Sequence, residues 1–202
     1  MIEDPLYLPK DTPVYMIGNT TNVVQYEMAR ECKKQWETYG YNVTQVPYLA
    51  NTDYDFFDAV SHLVYQIPIE YSDYRRQALA IIAIWKKQRR RGKSCLIVGY
   101  DSYLVRDIPL IKKDSEFLYL TNYRKLVDVN KVTATNLTKS YNINSFYLSP
   151  KTCHILYNDV CNASEDLKFH NIYIWILQQA VKHRWIVMNN KVEQPYVIPY
   201  TL

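Results

Sequence analysis

An α/β fold is predicted for this chain: one domain with a mixed, mainly parallel central sheet flanked by helices. Residues 13–49 alternate a short apolar run, a stretch with helical spacing and a second β-branched run, the order of a β-α-β unit. The run Cys95-Leu96-Ile97-Val98 is continuous and apolar, as a strand covered on both faces must be. Beyond it, residues 101–144 offer short strand-like pieces with no long helix between them, so the later strands join without crossover helices and the sheet is mixed. At 202 residues and 24.0 kDa the chain has the size of one well-buried domain. With no internal repeat or low-complexity tract, residues 1–202 are expected to form a single unit.

The elements follow in order. Pro13-Val14-Tyr15-Met16-Ile17 is entered through a proline and left through Gly18-Asn19, which predicts a buried first strand. Residues 22–39 form a helix with Val23, Tyr26, Met28, Ala29, Cys32 and Trp36 on its apolar side and Gly40 as its stop. Residues 41–49 return to strand chemistry through Val43, Val46 and Tyr48. A second helix is expected over 54–66, before Pro68, and a third from Ser72 to about Arg90, with Ala78, Leu79, Ile81, Ile82 and Trp85 toward the core. The strand at Cys95 ends on Gly99-Tyr100-Asp101. Strand-like pieces follow at 116–121, 131–135 and 143–148. Pro150 opens a short helix through Tyr157, and Ser164 caps a longer one to about Lys182, with acids at its start and Lys182-His183 at its end, matching the macrodipole. Residues 184–188 are a last strand, and the tail with Pro195 and Pro199 is expected to be extended and packed on the domain.

Composition narrows the chemistry. Glycine occurs four times, at Gly18, Gly40, Gly92 and Gly99, where ordinary usage of about 7% would give roughly fourteen. Neither a dinucleotide fingerprint nor a Walker A loop can be assembled from those spacings. Gly92-Lys93-Ser94 imitates the end of a Walker A motif, but Lys87 stands where the loop's first glycine belongs and the tripeptide leads into a strand. The four cysteines, Cys32, Cys95, Cys153 and Cys161, lack CxxC spacing, and Cys95 reads as a small buried hydrophobe. Met1 to Lys10 lacks a basic start and an apolar core of signal length, and no 18-residue apolar run occurs. A reduced, cytoplasmic setting without membrane association is expected. The net charge of +4 permits anionic partners without demanding them. The histidines at 62, 154, 170 and 183 show no metal spacing.

In an open, largely parallel sheet a ligand lies beyond the carboxyl ends of the central strands. The candidate ends are Gly18-Asn19, Tyr48 and Gly99-Tyr100-Asp101. Asp101 is the sharpest residue, because a carboxylate emerging from an apolar strand suits a hard divalent cation and, through it, a diphosphate; the plainer reading is that Asp101 opens a turn.

The segment from Trp85 through the basic helix end to Ser94-Cys95-Leu96-Ile97-Val98-Gly99-Tyr100-Asp101 resembles the central block of nucleotide-sugar glycosyltransferases of the GT-A fold, especially family 25, in which a tryptophan-bearing helix leads to an apolar strand ending in an acidic motif. The stretch from Ser145 to Leu156 resembles that family's later strand and short helix, and Glu165-Asp166 its C-terminal acidic segment. The likeness covers most of the chain as a pattern of elements. Two departures stand out: the family's cluster of acids is reduced to Asp101, and the Ser-His pair many members carry on the tryptophan helix is Ala80-Ile81 here.

The resemblance implies a sugar donor activated as a nucleotide diphosphate, with base and ribose over Tyr15, Gly18 and Asn19 and the diphosphate near Tyr100 and Asp101. Mn²⁺ or Mg²⁺ would be held by Asp101, with Asp107, Asp166 or His170 as further ligands; alternatively Arg75 and Arg76 neutralise the diphosphate, arginine being suited to bidentate phosphate contacts. Asp166, at a helix start, would serve as general base toward an acceptor hydroxyl, or it simply complements the dipole. The acceptor is a saccharide or a modified base in DNA. Lys86-Lys87-Gln88-Arg89-Arg90-Arg91-Gly92-Lys93 suits a phosphate backbone, yet it precedes the Cys95 strand and so lies at the end opposite the site; Lys112, Lys113, Arg124 and Lys125 follow that strand. A second class of function is a non-catalytic GT-A-like protein that has lost its metal site and binds a ligand or partner through some of its twenty tyrosines.

Overall fold

A computed structural model of the protein describes residues 7–18, 22–47, 72–110, 117–119, 145–162, 172–183, 185 and 196–201. The first strand, β1 (Val14–Gly18), leads through α1 (Val23–Thr38) to β2 (Val43–Pro47), which lies parallel to β1 with Val14 opposite Val43. The next described helix, α2 (Ser72–Arg91), returns the chain to β3 (Cys95–Gly99), parallel to β1 on its other side. Three short strands follow: β4 (Ser102–Leu104), β5 (Phe117–Tyr119) and β6 (Phe146–Leu148). Two helices, α3 (Pro150–Cys161) and α4 (Ile172–Lys182), precede β7 (Val197–Pro199).

The main sheet has the order β2-β1-β3-β6-β5. β6 is antiparallel to both its neighbours, so β2, β1, β3 and β5 point one way and β6 opposes them. This is the mixed, mainly parallel sheet the sequence predicts. A separate two-stranded antiparallel sheet pairs β4 with β7.

Side-chain alternation in the central strands builds two cores, one on each face. Val14 and Met16 of β1, Leu96 and Val98 of β3 and Tyr147 of β6 face α1 and the small sheet, where they meet Ala29, Cys32, Trp36, Leu104 and Val197. Tyr15, Ile17, Cys95, Ile97, Phe146 and Leu148 face the other way, onto α2, α3 and α4. The result is a sheet between helical layers, with α1 on one face and the other described helices on the opposite one.

Local chemistry sets the helix ends. Asn22 caps α1 by accepting the Gln25 N–H at 3.1 Å, and Gly40, at φ 89°, takes the left-handed conformation that ends it. Ser149 caps α3 through the Thr152 N–H, with Pro150 in the first turn. α3 runs to Cys161, a full turn beyond the expected Tyr157, because Val160 continues its buried side. On α1 the expected apolar side is only half realised: Ala29, Cys32 and Trp36 are buried, whereas Val23 and Tyr26 are exposed.

β4 is a further strand that the sequence pattern does not single out, at only three residues long. It is held by partners distant in sequence: the Trp36 indole N–H donates to the Ser102 carbonyl at 2.8 Å and Gln35 Nε2 to the Leu104 carbonyl at 3.1 Å. The tail at β7 completes it, extended and packed as expected. The expected helix at 54–66 and strand at 131–135 lie outside the described residues, as does the start of the Ser164 helix; of the expected strand at 184–188 only Trp185 is described, buried directly after α4. Among the described residues no helix is long and apolar enough to cross a membrane.

Trp36→Phe removes the buried indole donor to the Ser102 carbonyl. The substitution is expected to lower unfolding free energy by about 1–3 kcal/mol, read as a shift of the urea midpoint at unchanged m-value.

Candidate functional site

The strand order defines where a ligand fits. From β1 the chain moves to β2 on one side, and from β2 it crosses back over β1 to β3 on the other, so the direction of winding reverses between β1 and β3. The carboxyl ends of these two strands border the crevice at which open α/β sheets bind ligands. Ile17 pairs with Gly99 in register, which sets Gly18 beside the turn Gly99-Tyr100-Asp101. Three of the sequence-predicted residues, Gly18, Tyr100 and Asp101, are thereby brought together.

The turn carrying Asp101 is fixed on every side. Ser102 Oγ accepts the Gly99 N–H at 3.1 Å and bonds Ser145 Oγ at 2.6 Å, tying β3 to the start of β6. The Asp101 carbonyl accepts the Tyr200 N–H at 2.7 Å, and the next carbonyl, that of Ser102, accepts from Trp36. Asp101 itself is partly exposed. Its charge reaches Cys32 on α1, whose thiol pKa is pushed up to about 12, first by burial and then by the Asp101 carboxylate. Tyr100 is half-buried, and burial followed by the same carboxylate raises its phenol. A Cβ placed on Gly18 would stand 2.8 Å from the Tyr100 Cβ, so glycine here permits the Tyr100 side chain to lie against the end of β1.

On the α1 side of that edge is a shallow cleft of about 10 Å³, room for about one water molecule, lined by Met16, Gly18, Gln25, Tyr26, Ala29, Gln45 and Val46. Gln25 and Gln45 are half-buried polar groups at its wall, and Tyr26 is exposed at its rim. The first turn of α1 carries no acid, so the positive end of its dipole is uncompensated there and favours an anion. Sequence reasoning missed Gln25, Tyr26 and Gln45. The only signal was their position just after the first strand and in the second, with no chemistry to distinguish them from surface residues.

The remaining candidates are placed differently. Tyr15 is the second residue of β1, near its amino end, and only 3% exposed on the α2 face; Lys87 Nζ lies 5.4 Å from its ring centroid. It belongs to the core away from the Gly18 edge, because adjacent strand residues point to opposite faces and Tyr15 falls on the helix-covered one. Arg75 and Arg76 lie near the start of α2, whose other end leads into the amino end of β3. Asn19, Asp166 and His170 lie outside the described residues, as do Lys112, Lys113, Arg124 and Lys125.

Asp107 does not join Asp101. It is ion-paired with Lys10, which lies over the Tyr41 ring at the start of β2, the opposite end of the sheet. Among the described residues no group of three or more His, Cys, Asp or Glu side chains that could hold a metal ion is present. His154 bonds Asn158 within α3, and His183 bonds Asp159 at 2.7 Å while stacking on Trp185.

No protein-family model matches the chain, and no curated protein matches it at a significant level.

Gly18→Ala is expected to cost about 1–3 kcal/mol through overpacking; adding Tyr100→Ala does not relieve it, since the contact is with Cβ, whereas Tyr100→Gly does, as a double-mutant cycle in urea reads directly. Cys32 and Tyr41 both have pKa values near 12, above ordinary values of 9 and 10. Their neutral forms therefore contribute stability that is complete below about pH 9 and lost as pH rises toward 12, because the unfolded chain releases those protons first. Urea midpoints are expected to fall through that window, less steeply in Cys32→Ala.

Proposed function

We propose that the protein is a glycosyltransferase that moves a sugar from a nucleotide-sugar donor to a hydroxyl acceptor, a saccharide or a modified base in DNA. The observation that carries this reading is the position of Asp101: a carboxylate held by backbone hydrogen bonds on both sides at the carboxyl end of β3, next to Gly18 and across from the cleft at the start of α1. The cleft has room for about one water molecule, far below the roughly 300–1,000 Å³ of a complete small-molecule site, so the donor would lie over it rather than inside it, with the base or ribose toward Gln25, Gln45 and Tyr26, the diphosphate near the positive end of α1 and the sugar toward Asp101.

In this reading Asp101 would hold Mn²⁺ or Mg²⁺, which would supply positive charge to neutralise the diphosphate leaving group. Arg75 and Arg76 are the alternative source of that positive charge. The acceptor oxygen attacks the anomeric carbon, the bond from that carbon to the diphosphate oxygen breaks, and the acceptor proton passes to a carboxylate, assigned here to Asp166. The resemblance of the Trp85–Asp101 and Ser145–Leu156 segments to GT-A enzymes supports the same assignment.

Thermal denaturation against a panel of nucleotide sugars, with and without Mn²⁺, tests it. A saturating donor is expected to raise Tm by several degrees. Asp101→Asn is expected to abolish the Mn²⁺-dependent part of the shift, and Asp166→Ala to keep donor binding while losing transfer. No shift with any donor would overturn the reading in favour of a non-catalytic binding protein, a shift indifferent to Mn²⁺ would move the charge to Arg75 and Arg76, and full transfer by Asp166→Ala would remove that residue as base.

A further inference from the structure

The positive charge of this chain is concentrated in one place. Of its 24 lysines and arginines, Lys86, Lys87, Arg89, Arg90, Arg91 and Lys93 fall within eight residues that contain no acid, leaving 18 cations against 20 acids elsewhere. The run forms the last turns of α2 and its exit into β3. It therefore occupies the amino edge of the sheet, separated from Asp101 by the length of β3, about 15 Å at roughly 3.3 Å per residue.

The geometry makes a surface of it. Lys87, Arg90 and Arg91 stand at i, i+3 and i+4 and share one face of the helix; all three are exposed, and Lys93 is exposed just past the helix end. Gln88 turns inward and is buried, and Arg89 packs over the Tyr157 ring at 3.9 Å. Among the described residues none of Lys87, Arg90, Arg91 and Lys93 makes an ion pair, in contrast with the cations of α1, where Arg30, Lys33 and Lys34 each meet a glutamate. A helix C-terminus carries about half a negative charge, which one or two cations satisfy. Six exceed it, and like charges three and four residues apart repel one another. A polyanion relieves that repulsion.

The chemistry of the patch selects among polyanions. The exposed large hydrophobic side chains of the described residues are Tyr7, Val23, Val24, Tyr26, Leu110 and Ile198. None is on α2 or its exit, so the patch lacks the apolar half of a membrane-binding helix. Arginine forks suit phosphate oxygens, and a row of cations along a helix end suits phosphates repeated along a strand. We propose that Lys87, Arg90, Arg91 and Lys93 form a docking surface for the phosphate backbone of duplex nucleic acid, independent of base sequence and lying at the pole opposite Asp101. The surface tethers the protein to nucleic acid without placing a base at the β1–β3 crevice, and it does not depend on glycosyl transfer.

The test is a fluorescence-anisotropy titration of the full chain against a labelled 20-base-pair duplex of mixed sequence from 50 to 200 mM NaCl. Four phosphate contacts predict a slope of about −3.6 in log K against log salt, a loss of affinity on the order of 100-fold over that range. The variant Lys87→Gln/Arg90→Gln/Arg91→Gln/Lys93→Gln is expected to bind at least tenfold more weakly at 50 mM salt with the slope near zero, while Lys33→Gln/Lys34→Gln binds as the parent does. Should the fourfold variant fold poorly by circular dichroism, each single glutamine substitution is expected to reduce the slope by about 0.9. No binding at 50 mM salt, binding indifferent to salt or to these substitutions, or tighter binding to phosphatidylserine vesicles than to the duplex at equal phosphate concentration overturns the proposal.

Discussion

The structure depends on a central pair of strands that has no face to give to solvent. Every residue of β1 and β3 is buried, and because successive side chains point to opposite sides, each strand demands an apolar layer above and below. Met16, Leu96 and Val98 require α1 and the small sheet; Tyr15, Ile17, Cys95 and Ile97 require α2 and α3. With branched or aromatic side chains worth about 1.5–3 kcal/mol each when buried, no arrangement that uncovers one face competes. A polar group in such a strand would be desolvated without a partner. Chemistry is therefore expelled to the strand ends, which is why the carboxylate stands at one edge of the sheet and the run of cations at the other.

The two edges are finished by different means. At the amino edge Tyr147 reaches Ser94 through its hydroxyl at 2.8 Å and the chain leaves α2 through Gly92 at φ 62°. At the carboxyl edge the turn after β3 doubles back as β4 and is fastened by α1, β7 and the start of β6. Trp36 is the pivot: its ring is wholly buried, packs edge-on against Tyr41 at 5.6 Å and still spends its one donor on the Ser102 carbonyl. A backbone bound on both sides of Asp101 cannot drift, so the position of that carboxylate is a consequence of packing rather than of a flexible loop.

Much of this was legible because the strongest signals were local. β1, α1, α2 and β3 fall within a residue or two of their expected limits, since each has its own punctuation: Pro13, Asn22, Gly40, Gly92. What was not legible depended on partners far along the chain. β4 exists because residues 197–199 pair with it and Trp36 reaches it, and three residues with no periodicity cannot announce that. The placement of Tyr15 follows from the same limit. Being in the first strand was legible, but which of its two faces a side chain takes, and which end of a five-residue strand it occupies relative to a ligand, required the register with β3. Val23 and Tyr26 carried an apolar helical spacing and were nonetheless left outside, because spacing does not say which turns of a helix are covered.

The four glycines now have separate duties, and these bear on how a diphosphate would be held. Gly40 and Gly92 adopt the positive φ that ends α1 and α2. Gly99 is buried in β3 and its N–H is engaged by Ser102. Gly18, the one at the crevice, lacks a side chain so that Tyr100 can lie against it, which turns a residue that reads as room for phosphate into room for a neighbouring ring. None of the four is left to supply a glycine-built cradle of backbone N–H groups. An anion in this crevice must then rely on the uncompensated start of α1, which contributes at most about half a charge, together with cationic side chains or a divalent ion at Asp101. Since a diphosphate carries more negative charge than the helix start can balance, a diphosphate bound there would need one of these neutralising partners.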